Sequence, residues 1–418
     1  MDKQKNASYN GKNYKQTELG NMPYVWEIYK LKEISNEITE RAGNREFETL
    51  SISAGIGFVN QANKFGKELS GKQYEKYTVL HKGDFSYNKG NSKIYPQGCI
   101  YKLNDRECAA VPNVFESFRL NKGNPEFFEQ LFLSGFLNKQ LFRKINHGVR
   151  DDGLLNLKSE DFYDVFIVFP PLEEQQKIAE ILSTQDKVIE LKEKLIAEKQ
   201  RQKKYLMQQL LTGKRRLKGV GGEWRKIRLT DITELIIDNR GKTPPIEKTG
   251  IDLIEIASIS NDRKNPDYNK VIKWVSTEIY EKWFRDYIKK GDILISTVGQ
   301  VGITSLLNED KGIIAQNLIG IRCRKTNNSE YIYYLLNSRD YWIQVKAVTM
   351  GAIQPSLKVP HLLNFKFYVS TNINEQTAIA EILSTADKEI DLLQKELEQE
   401  KQKKKALMQL LLTGIVRV

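Results

Sequence analysis

Three cysteines and three histidines are scattered through 418 residues. Cys99, Cys108 and Cys323 form no C-x-x-C pair, and an odd count argues against a disulfide framework. His81, His147 and His361 stand far apart, without the ligand spacing of a structural zinc site, so no metal is expected. No run of about 18 uncharged apolar residues occurs, and the polar residues 1–21 hold no apolar signal core. The chain therefore reads as cytoplasmic, with no membrane partner.

Catalytic signatures are missing as well. A phosphate-cradling loop needs G-x-x-x-x-G-K-[ST], yet Ile236 stands where the first glycine before Gly241-Lys242-Thr243 belongs. No G-x-G-x-x-G opens a helix and no G-x-S-x-G elbow is present. A nuclease-like reading of Pro266-Asp267 with Glu309-Asp310-Lys311 rests on a pattern that ordinary turn chemistry also explains. The Asn/Asp-Pro-Pro-Tyr motif with which DNA amino-methyltransferases hold a flipped base is also lacking. The sequence reads as a binder without its own catalysis or cofactor.

What the chain has in excess is positive charge. Its 65 Lys and Arg against 53 Asp and Glu leave a formal +12, which favours an anionic partner, nucleic acid first. Hydrophobic residues make up 40% and charged residues 28%, with 19 Tyr and 17 Phe, enough for two or three packed domains.

The strongest signal is internal. Residues 174–213 and 375–414 align without a gap at an offset of 201, with 23 identities in 40 positions. That period is far longer than a solenoid unit and marks a duplicated half-protein. Each copy carries a seven-residue apolar series, Leu182, Ile189, Ile196 and Leu210 in one and Leu383, Ile390, Leu397 and Leu411 in the other. The series is interrupted once per copy, at Lys203 and at Lys404, while Leu206, Ala386, Leu393 and Leu407 supply part of the alternate seam. Pro170-Pro171 and the cap-like Asn372-x-x-Glu375 mark the starts, and Gly213 and Gly414 the stops. Two rods of about 60 Å follow. They pair most simply with each other, antiparallel; a coiled coil between two chains is the alternative.

The regions ahead of the helices also correspond. Trp26 and Leu31 match Trp224 and Leu229, Lys82-Gly83-Asp84 matches Lys290-Gly291-Asp292, and Gly148 to Leu155 has a counterpart in Gly351 to Leu357. Short β-branched and aromatic runs between turn residues give two similar α+β domains, 22–169 and 224–371. The helices occupy 170–216 and 372–418, joined to the second domain by a linker at 217–223. Residues 1–21 are expected to form a polar mobile tail. Basic residues crowd 201–228, a tract able to touch phosphates or to serve as a solvated linker.

This order of domain, helix, domain, helix resembles the specificity subunit of type I restriction–modification systems. The residues that carry the resemblance are Pro170-Pro171-Leu172-Glu173-Glu174-Gln175 leading into Ile-Ala-Glu-Ile-Leu-Ser, Leu-Leu-Thr-Gly at both helix ends, and Lys-Gly-Asp in both domains. Asp238 to Pro245 and Ile314 to Ile319 resemble that family's target-recognition domains. The second helix departs from the pattern, with Thr371-Asn372-Ile373 in place of Pro-Pro-Leu. The resemblance implies a non-catalytic subunit whose two domains each read half of a bipartite, asymmetric double-stranded DNA target. The helices would set the spacer and dock two modification subunits that use S-adenosylmethionine to methylate adenine. Two restriction subunits using ATP and Mg would complete the complex. The specificity part of another restriction system, or a coiled-coil adaptor that binds no DNA, are the alternatives.

Base readers are expected among Arg, Lys, Asn and Gln side chains on loops near strand ends. The first domain offers Asn88, Lys89, Asn91, Lys93, Tyr95 and Arg150. The second offers Arg240, Lys242, Thr243, Gln300, Gln316, Asn317 and Gln354. The matched Asp186-Lys187 and Asp387-Lys388 read as solvated helix charge, with docking of a partner as the alternative.

Overall fold

The computed structural model describes residues 13–66, 71–90, 95–146, 154–241, 243–350 and 355–418. The chain divides into two compact units, one of residues 1–193 with 396–418 and one of residues 194–395. Each unit thus joins one globular domain to half of each long helix.

In the first unit a four-stranded antiparallel sheet organises the domain. Its strands are β1 (Ser35–Glu37), β2 (Phe85–Asn88), β3 (Cys99–Lys102) and β4 (Glu116–Leu120), in the order β1-β4-β2-β3. The second unit repeats it with β5 (Thr233–Ile237), β6 (Ile293–Ser296), β7 (Thr304–Leu306) and β8 (Leu318–Cys323), in the order β5-β8-β6-β7. The Lys-Gly-Asp motifs explain part of this likeness. Gly83 and Gly291 take φ of +92° and +88°, conformations that glycine adopts without a Cβ penalty. The turn then buries Asp84 and Asp292, which accept paired bonds from Arg119 and Arg322 on the neighbouring strand. Both motifs are struts of the domain.

The two long helices span Leu172–Leu210 and Ile373–Leu411, 39 residues each. In the first unit Gln185 reaches Glu400 at 2.7 Å, Lys192 pairs with Glu396 at 2.7 Å, and Lys401 pairs with Glu193 at 2.7 Å. In the second, Lys199 pairs with Glu389 at 2.5 Å. Residue numbers rise on one helix as they fall on the other, so the pair is antiparallel within each unit. All eleven seam residues expected from the heptad series, Leu182, Ile189, Ile196, Leu206, Leu210, Leu383, Ile390, Leu393, Leu397, Leu407 and Leu411, are buried or half-buried. The two interruptions have a cause. Lys404 pairs with Asp186 at 2.6 Å, and Lys203 pairs with Asp387. Asp186 also accepts from Gln130, and Asp387 from the Tyr334 hydroxyl. Both aspartates, read from the sequence as solvated helix charge or as docking positions, thus serve intrachain bonds.

Each helix start is anchored by the Glu-Gln pair of the repeat. Gln175 Oε1 accepts from the Asn124 amide and Gln376 Oε1 from the Asn328 amide, both at 2.8 Å. Glu174 accepts the Trp26 indole N–H at 2.9 Å, and Glu375 accepts that of Trp224 at 3.0 Å. Glu375 therefore does not reach back to its own helix N-cap as the N-x-x-E spacing suggests; the Asn372 amide donates to Ser370 Oγ instead. The partner cations come from just past the other helix. Arg417 grips Glu174 and Arg216 grips Glu375. Around these anchors each core fills with equivalent groups, Ile178, Ala179 and Leu182 in the first unit and Ile379, Ala380 and Leu383 in the second.

The amino-terminal region differs from expectation. Residues Tyr14–Thr17 pair with Gly20–Pro23 as an antiparallel hairpin, and the Tyr14 hydroxyl donates to the Gly414 carbonyl at 2.9 Å. The anticipated mobile stretch is thus tied to the carboxyl-terminal helix end from residue 14 onward; residues 1–12 lie outside the described residues. No described helix is long and apolar enough to cross a membrane.

Candidate nucleic-acid interface

The antiparallel register decides which loops share an end of the sheet. In the second unit Ser296 faces Leu318 and Ile237 faces Gly320. The loop after β5, the turn after β6 and the turn before β8 therefore gather at one edge. Arg240, Thr243, Gln300, Gln316 and Asn317, expected from the sequence as base readers, all lie on these three segments. Gln316 Nε2 donates to the Gly241 carbonyl at 3.3 Å and to Thr243 Oγ1 at 3.2 Å, fastening two of them. The backbone carbonyl of Asn317 accepts from the Thr297 amide at 2.9 Å, fastening the third. The side chains of Gln300 and Asn317 are exposed and have no hydrogen-bond partner among the described residues. Polar groups held on a rigid loop and left unpaired are suited to meeting base edges.

Arg240 is placed differently. Its Nε bonds Asp238 Oδ1 at 2.8 Å, its Nη2 bonds Asp238 Oδ2 at 2.5 Å, and its amide also donates to Oδ1. These bonds hold the Asp238 carboxyl below the usual carboxylate range and raise the guanidinium pKa. The preceding residue, Asn239, clamps a second loop: its Oδ1 accepts from the amides of Arg285 and Asp286, and its Nδ2 donates to the Asp286 carbonyl.

The first unit presents the same edge with other chemistry. Asn88 ends β2 and spends its side chain within the domain, Oδ1 accepting from the Gly90 amide at 2.8 Å and Nδ2 donating to the Ile52 carbonyl at 3.4 Å. Lys89 is mostly buried and pairs with Glu116 at 2.5 Å, a brace inside the domain. Tyr95 is half-buried beside Tyr101. Asn91, Lys93, Arg150, Lys242 and Gln354 lie outside the described residues.

Register also reveals residues that spacing alone did not. Phe115 closes a turn onto Pro112 as Leu318 closes one onto Ala315. Asn113 and Val114 are thereby the counterparts of Gln316 and Asn317, and both are exposed. The basic tract at 201–228 is partly committed, since Lys203 and Arg216 serve the pairs described above and Arg225 meets Glu223.

Among the described residues no group of three His, Cys, Asp or Glu side chains is placed to hold a metal. Asp267 caps its own turn at Asn269, and Asp310 accepts from the Lys290 amide, so both act locally. Burial pushes the Cys99 thiol up to about 11 and that of Cys323 to about 12, which keeps both protonated at neutral pH.

The model of the type I restriction modification DNA specificity domain matches twice, at residues 23–200 and 221–402. The MjaVIII type I restriction enzyme specificity subunit of Methanocaldococcus jannaschii is 26% identical over 304 residues, covering 69% of this chain and 70% of that protein. A second protein of that organism, provisionally named the specificity subunit of type I restriction enzyme MjaX, is 28% identical over 451 residues, with 98% of each covered. Among solved structures, a chain from a study of complex assembly and conformational transition in the type I restriction–modification system superposes with a TM-score of 0.58 at 19% identity, covering 94% of this chain and 99% of that one. The type I restriction–modification S subunit from M. genitalium gives 0.54 at 14% identity, covering 92% and 96%. These structures share the fold. Two family matches spanning most of the sequence, on a framework written twice, show that the chain belongs to the DNA specificity subunits of type I restriction–modification systems.

Proposed function

We propose that each domain reads one half of a bipartite, asymmetric double-stranded DNA target, and that the chain itself catalyses nothing. The observation that carries this reading is the contrast at the two equivalent sheet edges. One framework, with its buried aspartate–arginine strut, is used twice. Yet Asn113 and Val114 stand in the first unit where Gln316 and Asn317 stand in the second. Different side chains on one scaffold read different sequences, and an asymmetric target follows.

The antiparallel helices would set the spacer between half-sites. A rod of about 60 Å has the length of roughly 17 base pairs, an upper bound on reach. Two modification subunits would dock on the helices, bind S-adenosylmethionine and methylate adenine. Two restriction subunits would add ATP- and Mg-dependent cleavage, and the whole would act in the cytoplasm. Neither cofactor is assigned to this chain.

Single-molecule methylation sequencing of cells expressing the chain with its modification partner tests the reading. A bipartite, asymmetric adenine motif is expected. A continuous palindrome, or no new motif, would overturn it.

A further inference from the structure

We propose that Arg285 is a DNA-phosphate contact of the second domain and that Arg240, although it sits in the recognition loop, is a positioning residue. The proposal rests on the DNA-reading role given above and assigns a residue within it.

The two arginines of this loop pair differ in what holds them. Arg240 has both faces of its guanidinium fork on Asp238, and its amide is held by the same carboxylate. It cannot reach outward without abandoning a half-buried acid. Arg285 is exposed, and its guanidinium has no ion pair or hydrogen bond among the described residues. Its backbone, in contrast, is fixed. Asn239 Oδ1 accepts from the amides of Arg285 at 3.1 Å and Asp286 at 3.3 Å, and Asn239 Nδ2 returns a bond to the Asp286 carbonyl at 3.0 Å. A free cation on a clamped loop loses little backbone entropy when it meets an anion.

The surroundings point the same way. Asn239, Arg240, Gly241, Lys282, Trp283 and Arg285 line one cleft of about 350 Å³. Arg240 pairs with Asp238, on which Arg285 also acts electrostatically, and Lys282 pairs with Glu278 at 3.1 Å, which leaves Arg285 as the cation of that cleft without an ion pair among the described residues. Gly241, with φ of +149°, presents no side chain, and its missing Cβ would lie 3.9 Å from Arg285 Nη2. Nothing at that position shields the guanidinium, and a phosphate can approach the bare backbone. The loop is also continuous with the proposed reading edge through Gln316, which binds Gly241 and Thr243. Cations at the margin of such an edge position the duplex, while amide groups at its centre read it.

The test uses the full chain assembled with its modification subunit, on DNA bearing the methylated motif and on DNA with a scrambled second half-site. Affinity is measured across a salt series, and the methylation motif is mapped in cells. Arg285→Ala should weaken both DNAs by about tenfold, lower the magnitude of the log–log salt slope by about one, and leave the motif unchanged. Arg285→Lys should restore most of the affinity, because a point charge suffices for a phosphate. Arg240→Ala and Arg240→Lys should both lower the thermal midpoint of the free chain, as loss of a structural fork predicts. Wild-type affinity and slope for Arg285→Ala would overturn the assignment, as would a relaxed base in its motif. Complete salt-independence or absence of DNA binding in the wild-type complex would instead overturn the recognition reading, and this assignment with it.

Discussion

The Arg216 guanidinium holds the buried carboxylate of Glu375 through Nε at 2.8 Å and Nη2 at 3.2 Å, 159 residues apart in sequence. The same contact recurs between Arg417 and Glu174. In both, the cation lies just past the end of one long helix and the anion in the first turn of the other. The Trp224 and Trp26 indoles complete the two sites. Arg216→Ala should therefore destabilise the chain by about 1–3 kcal/mol, the cost of leaving a buried acceptor short of a partner. Urea unfolding measures it, and Arg417→Ala should give a similar loss. An unchanged midpoint in either would show that the carboxylate is held without its arginine.

This contact also sets an acid limit. Burial raises the Glu375 pKa, but bonds from Arg216, Ser370 and Trp224 outweigh it and hold the group below its ordinary 4.5. A carboxyl with a depressed folded-state pKa contributes fully above its unfolded value, and the contribution is lost as pH falls through the folded one. Thermal melting of the wild type should thus drop below about pH 4.5, and Glu375→Gln should be weaker at neutral pH but fall less steeply in acid. Parallel acid profiles for the two proteins would contradict this.

The seam lysines make a separate prediction. Asp387→Ala leaves Lys203, three-quarters buried, without its anion beside the Tyr334 ring. A double-mutant cycle of Lys203→Met with Asp387→Ala should return a coupling energy of roughly 0.5–3 kcal/mol by urea unfolding. Additive losses would show that the pair does not interact.

Asp292 lies 2% exposed and takes two bonds from Arg322. Asp292→Asn should cost about 3 kcal/mol, since it strips the partner from a guanidinium set within the domain. Wherever the variant still folds, its methylation motif should match the wild type. A changed motif would move Lys-Gly-Asp from the framework to the reading edge.

Asn317→Ala and Asn113→Ala should alter different halves of the DNA motif. Each lost base contact is worth about 1–3 kcal/mol of discrimination. Methylation sequencing of the two variants reads the result directly. Relaxation of the same half by both would contradict the equivalence of the two turns.

Much of this architecture was legible because it is periodic or duplicated. Seven-residue spacing located both helices, and the matching of Trp26 with Trp224 and of Asp84 with Asp292 identified the repeated framework. The bonds that close the molecule were not legible. Lys203 and Lys404 read only as flaws in a seam, since their partners lie far along the chain and no local pattern joins them. Arg240 read as an outward finger because its loop carries turn residues, although Asp238 stands two positions before it. Asn113 and Arg285 went unnoticed because sheet register and the Asn239 clamp, not spacing, bring them to the edge. A framework is written in local repeats, whereas a surface is assembled from distant ones.

The paired lysines and aspartates also act as an orientation code. Lys203 and Lys404 are counterparts across the duplication, as are Asp186 and Asp387. If the helices ran parallel and in register, each lysine would face its own copy and each aspartate likewise. Reversing one helix turns both repulsions into attractions. The polarity of the helix pair is therefore specified twice by one aspartate–lysine relationship, and a repeat that copies itself faithfully rejects its own parallel image.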